Sequence, residues 1–554
     1  MIAQAQALAE GSVLTPDICI VGAGAAGIAM ALRLRGRGRE VLVLEAGQER
    51  ESAEQRDMLV GEVVDPALHS PTEHYRHRVF GGSTLTWGGR CIPLDPIDFM
   101  ERAWIPDSGW PIAYDDVAPF YGDALRLAEA GDNDFNAASA IAEGMRPMIA
   151  GFVPDNFDSD CIERNSAPTN FARRYRHLLA EAPDITILLG ANCTEIVTTP
   201  DRTRIASVEV HTDAGKRLEI KARQFVLATG GIETARLLLA SQRHDPRGVG
   251  NDRDLVGRYY MCHIAGTMGE VSFSGPPDTI FHGYERAWDG VYLRRRLHLR
   301  PEAQARLRTG NIVMRLHHPR LPDPRHGRGV LSAIYLARPL VSYEYAKRLH
   351  SDDPMTVGKV LHHVVNVLRE PFATAGFMAQ WAWRRSLAAR KFPSLIVRPR
   401  DNRFTLDIHA EQAPNRESRI TLSERRDRFG MPRVRVDWRW LPLDIETVVR
   451  ALQALASDMA ASGIGQLRFS PEGVAHDMLR DGAYGGHHIG TARMGKTPET
   501  GVVDADCKVF GIDNLFIAGS AVFPTSGQAN PTLTVLALAL RLTDHLAAPG
   551  EEGQ

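Results

Sequence analysis

The stretch Asp17-Ile-Cys-Ile-Val-Gly-Ala-Gly-Ala-Ala-Gly27 decides the fold. Its apolar run, residues 18–21, predicts a short buried strand. Gly22, Gly24 and Gly27 follow at the spacing of a dinucleotide-binding turn. The first glycine permits the tight turn, the second lets the backbone approach a pyrophosphate, and the third lets the next helix pack on the strand. That helix directs its positive end towards the phosphates, so the stretch predicts a nucleotide cofactor.

A second apolar run, Val41 to Leu44, ends in Glu45. A carboxylate at the end of the second strand can accept the ribose hydroxyls, and it favours an adenosine with a free 2′-OH. The glycine pattern alone is often an ordinary flexible turn. The strand before it, the helix after it and Glu45 together favour the cofactor interpretation.

The bulk properties indicate a globular protein of more than one domain. The chain has 554 residues, which is too long for one core, and 44% of them are hydrophobic and 24% charged. The formal net charge of −2 argues against nucleic acid as a partner. The six cysteines are scattered without a C-x-x-C pair, which predicts core residues rather than a disulfide framework or a metal site.

The first sixteen residues contain no basic region followed by an apolar run and no twin arginine. No apolar run in the sequence is long enough to span a bilayer. We therefore expect a cytoplasmic protein without a transmembrane segment.

Strand-plus-helix patterns occur near the N-terminus, around residues 185–260 and at the C-terminal end. Similar patterns in separated places predict one doubly wound sheet built from discontinuous pieces. The fold class is thus α/β: a discontinuous Rossmann-like cofactor-binding domain plus an α+β substrate domain with an antiparallel sheet. The predicted boundaries are 15–100, 185–264 and 490–548 for the cofactor-binding domain, 101–184 for a connecting or cap segment, and 265–489 for the substrate domain.

Residues 353–397 contain apolar residues at helical spacing, followed by Arg384 and Arg385. Amphipathic helices fit this pattern. They either cover the substrate domain, which we favour, or form a membrane-facing patch.

Several motifs resemble the glucose–methanol–choline (GMC) oxidoreductases, a family of flavoproteins. They follow one another in the order of that family and are Glu45-Ala-Gly47, Gly81-Gly-Ser-Thr-Leu-Thr-Trp-Gly-Gly89, the segment from Ala228 to Ser241, Gly248-Val-Gly-Asn251 with Leu255-Val-Gly-Arg258, the segment from Gly486 to Gly495, and Gly511 to Pro524 with Ala529-Asn-Pro-Thr532. The resemblance implies a tightly bound FAD and oxidation of an alcohol CH–OH group to a carbonyl.

The turn chemistry and the resemblance together predict the residues that contact the cofactor. These are Gly22, Gly24, Ala25, Ala26, Gly27, Glu45, Ala46, Gly81, Gly82, Ser83, Thr86, Trp87, Gly88, Gly89, Thr229, Gly230, Gly519, Ser520, Pro531 and Thr532. Some sugar-oxidising members attach the flavin through a histidine just before the tryptophan, where this chain has Thr86. We therefore expect non-covalent FAD, with His77 and His74 as weaker candidates for attachment.

Hydride removal from a carbinol carbon requires a base for the hydroxyl proton, and neutral imidazole is suited to this near neutral pH. By the resemblance, His487 is that base and Asn530 is its partner, whose amide can bond the substrate oxygen. The neighbouring His488 is a weaker candidate for contact with the substrate. Asn530 also suits the cap of a helix whose first residue is Pro531. Glu411 is interpreted either as a substrate contact or as a solvated charge at a strand end.

The predicted function is oxidation of a sugar, glycoside or cyclic polyol, with oxygen, a quinone or a redox protein as the electron acceptor. The alternatives are a non-sugar secondary or aryl alcohol as substrate, a lyase that keeps FAD as a structural element, and an NAD-dependent enzyme. We expect no metal, and the sequence leaves an oligomer or a small partner subunit open.

Overall fold

The computed structural model describes residues 1–338, 356–394, 396–399, 401–481 and 486–548. Its central element is a six-stranded sheet, the parallel sheet. In spatial order the strands are Ile2–Gln4, Ile185–Leu189, Val41–Glu45, Ile18–Val21, Gln224–Leu227 and Leu515–Ile517. All neighbours in this sheet run parallel. The strands come from distant parts of the chain, and the predicted α/β fold class is confirmed.

The helix Ala25–Leu34 follows the first glycine turn, as the sequence predicted. It is rich in small residues and ends just before Gly36, whose φ of +73° suits glycine. The C-terminal helix Thr532–Ala547 packs against it. The other α-helices of the described residues are Ala53–Asp57, Pro96–Phe99, Tyr121–Leu127, Ala137–Ala140, Phe171–Glu181, Gly230–Ala240, Pro301–Leu307, Gly329–Leu336, Val357–Arg369, Pro371–Ala382, Pro442–Ser462 and Val474–Asp481.

A second six-stranded sheet, the antiparallel sheet, has the strand order Gly465–Arg468, Ile264–Phe273, Arg403–Ala410, Ile312–His317, Leu297–Leu299 and Phe157–Asp158. Its neighbours are antiparallel throughout. It is the antiparallel sheet that the sequence predicted for the substrate domain, and one contiguous apolar core includes side chains of both large sheets.

Three smaller sheets complete the described strands. They consist of Ala191–Thr198, Ile205–Thr212, Arg217–Ile220 and Val13–Leu14; of Tyr284–Arg286, Tyr292–Arg295, Ile162–Asn165 and Arg90–Cys91; and of Arg419–Arg426, Pro432–Asp437 and Glu62–Val63. The domain boundaries stay a prediction. The parallel sheet begins with residues 2–4, before the predicted start at 15, and residues 157–158 of the predicted connecting segment join the antiparallel sheet.

None of the helices in the described residues combines the length and apolar character needed to cross a bilayer. The segment 353–397, predicted to be helical, contains the helices Val357–Arg369 and Pro371–Ala382. Residues 353–355 and 395 of that segment lie outside the described residues.

Candidate active site

A cavity of about 290 Å³ opens at the carboxyl ends of three central strands of the parallel sheet. Ligands of open α/β sheets bind at this edge. Most of the residues predicted to contact the cofactor line the cavity, namely Gly22, Gly24, Ala25, Ala26, Glu45, Ala46, Gly82, Ser83, Trp87, Thr229, Gly230, Gly519, Ser520 and Thr532. The fold therefore brings the N-terminal turn, the glycine-rich segment and the C-terminal motif to one place.

The remaining predicted contacts lie outside the cavity wall: Gly27, Gly81, Thr86, Gly88, Gly89 and Pro531. Gly27 has a packing role, because a Cβ there would lie 1.9 Å from the carbonyl oxygen of Gly22. Gly81 has φ +94° and precedes the 3₁₀ turn Gly82–Leu85, so it shapes the loop.

The cavity wall fits a dinucleotide. A Cβ on Gly24, Gly230 or Gly519 would meet no atom within 4 Å, so backbone is left open towards the cavity at these three positions. The helices Ala25–Leu34, Gly230–Ala240 and Thr532–Ala547 all begin at the wall. Open backbone beside several helix N-termini is what a pyrophosphate requires.

Glu45 ends the second central strand and is buried. Its carboxylate accepts hydrogen bonds from the backbone N–H groups of Ala23 at 3.0 Å and Gly47 at 2.7 Å. Burial raises the pKa of Glu45, and the two N–H bonds oppose that shift. The carboxylate is thus held at the cavity edge where the sequence predicted contact with a ribose.

Side-chain hydrogen bonds of Trp87 and Thr86 hold the glycine-rich segment in place. Trp87 donates its indole N–H to the Thr169 carbonyl at 2.8 Å. Thr86 Oγ1 lies 2.9 Å from His77 Nε2, and His77 Nδ1 lies 3.0 Å from a carboxylate oxygen of Glu51. His77 also lines the cavity, whereas Thr86 does not.

The two predicted catalytic side chains lie together although they are 43 residues apart. Asn530 Nδ2 is 3.1 Å from His487 Nε2. The backbone positions His487, because Met261 and Ile489 pair through two hydrogen bonds of 2.9 and 3.1 Å. Continuing that antiparallel register places residue 263 opposite residue 487.

His263 occupies that opposite position and was not predicted from the sequence. Its Nδ1 lies 2.8 Å from His487 Nδ1, and its Nε2 lies 3.3 Å from the Ser526 carbonyl. A carbonyl only accepts, so His263 Nε2 carries hydrogen and its Nδ1 accepts from His487 Nδ1–H. We therefore assign the lone pair of His487 to Nε2, where it accepts from the Nδ2–H of Asn530.

A third imidazole, His409, stacks on His263 with ring centroids 4.3 Å apart. Its Nδ1 donates to the Gln528 carbonyl at 2.5 Å. Candidate ligand atoms of His263, His409 and His487 all lie within 4.8 Å of one another, so the cluster has the composition of a three-histidine metal site. The 2.8 Å separation of two of the nitrogens matches a hydrogen bond. The absence of a metal stays a prediction.

The site keeps its histidines neutral. Burial and the positive charge of Arg90 lower the pKa of His487 to about 4. Burial is also the main reason why the pKa values of His263 and His409 lie well below the usual range. A neutral imidazole is the form that removes a proton.

Arg90 places a positive charge near these rings. Glu163 lies between Arg90, at 3.3 Å, and Arg315, at 2.6 Å. Arg315 is buried, and its Nη1 is 3.7 Å from a carboxylate oxygen of Asp407. Arg90 acts electrostatically on both His487 and His409. A positive group here favours the alkoxide character that develops as an alcohol loses its proton.

His488 and Glu411 occupy different places. His488 lines the cofactor cavity, and its ring stacks on Tyr260 with centroids 6.2 Å apart. Glu411 is buried and bonded by both oxygens to Arg102 at 2.6 and 2.7 Å. Its interpretation as a solvated strand-end charge is therefore wrong.

The site thus combines a dinucleotide cleft with a cluster of neutral imidazoles, and comparison with known proteins identifies its family. The two domain models of the GMC oxidoreductases match residues 163–265 and 414–539. An NAD(P)-binding Rossmann-like domain model matches residues 20–49. The chain belongs to the GMC oxidoreductase family, which is a family of flavoproteins that oxidise alcohols.

Individual relatives cover nearly the whole chain. The 2-methyl-1,2-propanediol dehydrogenase of Mycolicibacterium austroafricanum is 24% identical over 96% of this chain and 95% of its own. The 6'''-hydroxyparomomycin C oxidase of Streptomyces lividus is 24% identical over 96% and 92%. The crystal structure of pyridoxine 4-oxidase from Mesorbium loti superposes with a TM-score of 0.58 at 18% identity, covering 96% of this chain and 98% of that one.

Proposed function

We propose that this enzyme oxidises a CH–OH group of a sugar, glycoside or cyclic polyol to a carbonyl, with His487 as the general base. The supporting observation is the contact of His487 with Asn530 beside the dinucleotide cavity, with His263 orienting the ring. FAD, when bound, supplies the hydride acceptor at its N5 atom. The chain supplies the cleft, the base and the charges around it.

His487, Asn530 and Arg90 have separate roles in this reaction. His487 Nε2 takes the hydroxyl proton as the C–H bond breaks. The Nδ1–H group of His487 keeps its hydrogen bond to Nδ1 of His263. Asn530 Nδ2 donates to His487 Nε2 before the substrate binds and to the reacting oxygen afterwards, which leaves the Nε2 lone pair for the hydroxyl proton. The buried Oδ1 of Asn530 has no partner among the described residues and can accept from the hydroxyl before transfer. Arg90 stabilises the negative charge that develops on the oxygen.

We propose that FAD binds without a covalent bond. Position 86, where some family members have the attaching histidine, is a threonine in this chain. His77 is hydrogen-bonded through both ring nitrogens, to Glu51 and Thr86. On acid denaturation the yellow cofactor is therefore expected in the supernatant, and flavin retained on the precipitated chain would contradict non-covalent binding.

The relatives support alcohols of two kinds as substrates. One is named for 2-methyl-1,2-propanediol and the other for 6'''-hydroxyparomomycin C. We place a sugar or cyclic polyol first and a non-sugar secondary or aryl alcohol second. A lyase with structural FAD remains the third candidate, because the fold alone does not separate it from an oxidase. Oxygen, a quinone or a redox protein is the proposed electron acceptor, and the cytoplasm is the proposed compartment.

The test is anaerobic reduction of the bound flavin by a panel of sugars, polyols and alcohols, followed by reoxidation with oxygen or an artificial acceptor. His487→Ala is expected to slow reduction by roughly 10²- to 10⁴-fold with FAD still bound. His488→Ala is the matched control and is expected to retain a much larger fraction of the rate. Undiminished reduction in His487→Ala would assign the base to another residue.

A further inference from the structure

The helices Val357–Arg369 and Pro371–Ala382, with the turn Trp383–Leu387, form a surface that we call the apolar hairpin. One side of it packs on the helix Gly329–Leu336. His363 and Asn366 make hydrogen bonds there with the hydroxyl of Ser332, at 3.0 and 3.1 Å. The hairpin is therefore anchored to the protein through a few buried, mostly polar side chains.

The other side is apolar and exposed. Among the described residues, half of the exposed large apolar side chains of the whole protein belong to this hairpin: Val357, Leu361, Val364, Val365, Leu368, Phe372, Met378, Trp383 and Leu387. Phe372 is 91% exposed. An apolar patch concentrated in this way marks a surface that meets something else.

Helical spacing places these residues on one face of the first helix. Val357, Leu361, Val364, Val365 and Leu368 follow the i, i+4, i+7, i+8 and i+11 pattern, whereas His363 and Asn366 face the protein. The fully buried side chains of this helix are thus polar and its exposed face is apolar, which reverses the usual arrangement in a soluble protein.

The second helix has no polar face for solvent. Residues 371–383 contain no charged side chain, and Thr374 alone among them is buried. A helix that is apolar on all sides is stable when it is enclosed by protein or by lipid. Its 12 residues make it about 18 Å long, so it is suited to lie in a membrane interface rather than to cross the bilayer.

Charge indicates what covers the hairpin. Residues 356–391 contain six arginines and lysines and one acidic residue. That residue, Glu370, forms an ion pair with Arg328. Arg369 and Arg384 are exposed at the edges of the apolar surface. Exposed tryptophan and aliphatic side chains bordered by arginine suit an anionic lipid surface.

We propose that the apolar hairpin docks the enzyme onto the surface of an anionic phospholipid bilayer. Phe372, Trp383 and the exposed face of the first helix enter the headgroup region. Arg369 and Arg384 contact the lipid phosphates. This proposal extends beyond the oxidation reaction and does not depend on the identity of the substrate.

The test is sedimentation of the full-length holoenzyme with vesicles of phosphatidylcholine alone or of phosphatidylcholine mixed with phosphatidylglycerol. We expect binding to the mixed vesicles that weakens with salt. Phe372→Glu is expected to lower it at least tenfold. The double variant Arg369→Gln/Arg384→Gln is expected to lower it about 30-fold, since each arginine near an anionic surface contributes about fivefold.

Two valines provide a matched control. Val357 in the hairpin is 77% exposed, and Val153 outside it is 79% exposed. Val357→Glu is expected to weaken vesicle binding, and glutamate in the first turn of its helix keeps that helix stable. Val153→Glu is expected to bind like the unmodified enzyme. Flavin content, melting temperature and activity with a soluble acceptor verify that every variant is folded.

Three results would overturn the proposal. One is the absence of binding to the mixed vesicles at low salt. Another is an equal loss of binding in Val153→Glu and Val357→Glu. The last is an enzyme that does not sediment with vesicles but self-associates in a concentration-dependent way that Phe372→Glu abolishes. This result would assign the hairpin to contact with a second copy of the chain.

Discussion

At the scale of single residues, the chemistry depends on which nitrogen of His487 is free. The Ser526 carbonyl fixes the proton on His263 Nε2, and His263 in turn fixes the proton on His487 Nδ1. Nε2 of His487 is left unprotonated beside Asn530. We therefore propose His263 as a positioning residue for the proposed base, because a hydrogen-bond partner selects the tautomer of a histidine.

His263→Leu removes the acceptor of the His487 Nδ1–H bond. We expect the rate of flavin reduction to fall about 10- to 100-fold, because a buried N–H is left without a partner and the other tautomer becomes populated. His263→Gln can accept through its amide oxygen and should restore part of the rate. Stopped-flow reduction across pH measures both. An unchanged rate and pH profile in His263→Leu would exclude the positioning role.

The pH dependence follows from the lowered pKa of His487, about 4. A base with a lowered pKa stays unprotonated as the pH falls, so the reduction rate should be constant from neutral pH to about pH 5 and should decrease below that. The free energy of unfolding also decreases as the pH falls. The unfolded state binds the proton near the ordinary histidine pKa, so stability decreases as the pH falls through about 6.5. A kinetic inflection at 6.5 would contradict the lowered value.

At the level of elements, two glycines of the N-terminal turn have different roles, Gly24 in cofactor binding and Gly27 in folding. A Cβ on Gly24 meets open cavity, whereas a Cβ on Gly27 lies 1.9 Å from the Gly22 carbonyl oxygen. Gly24→Ala is expected to leave the free energy of unfolding of the apoprotein nearly unchanged and to weaken FAD binding. Gly27→Ala is expected to destabilise the fold by about 1–3 kcal/mol. Denaturant unfolding and flavin titration distinguish them, and equal destabilisation by both changes would argue against these roles.

The sequence predicted these elements well where one local pattern specifies one structure. The strand at residues 18–21 and the helix after it were read from apolar runs and glycine spacing, and both are present in the structure. His263 and His409 could not be predicted in the same way. Their meeting with His487 depends on strand register between segments 224 residues apart, as in the pairing of Met261 with Ile489. The only local signal was a histidine directly beside a buried strand.

The hairpin shows the opposite case, in which helices were predicted but their surroundings were not. Apolar spacing gives the face of a helix but not what that face contacts. The sequence favoured helices that cover the substrate domain. The structure shows that they contact the protein on one side and leave Phe372 and Trp383 exposed on the other. These contacts agree with both interpretations that the pattern left open, and the membrane-facing one is our proposal.

At the scale of the whole molecule, two large sheets bring together residues from both ends of the chain. The cluster of His263, His409 and His487 exists only in this assembled form. We expect dialysis against EDTA to leave flavin reduction unchanged, because a bound cation would occupy the lone pairs that the base and its partner use. Metal analysis of the purified enzyme gives the second measurement. A stoichiometric metal whose removal changes the rate would contradict a metal-free site.

We propose that distant segments converge on one FAD, with the unprotonated nitrogen of His487 positioned to accept the substrate proton. The decisive experiment adds a cyclic polyol or sugar to the purified holoenzyme without oxygen while the flavin absorption is recorded. We expect the yellow colour to bleach as a carbonyl product accumulates in equal amount. A flavin that stays oxidised with every alcohol of the panel would contradict the account.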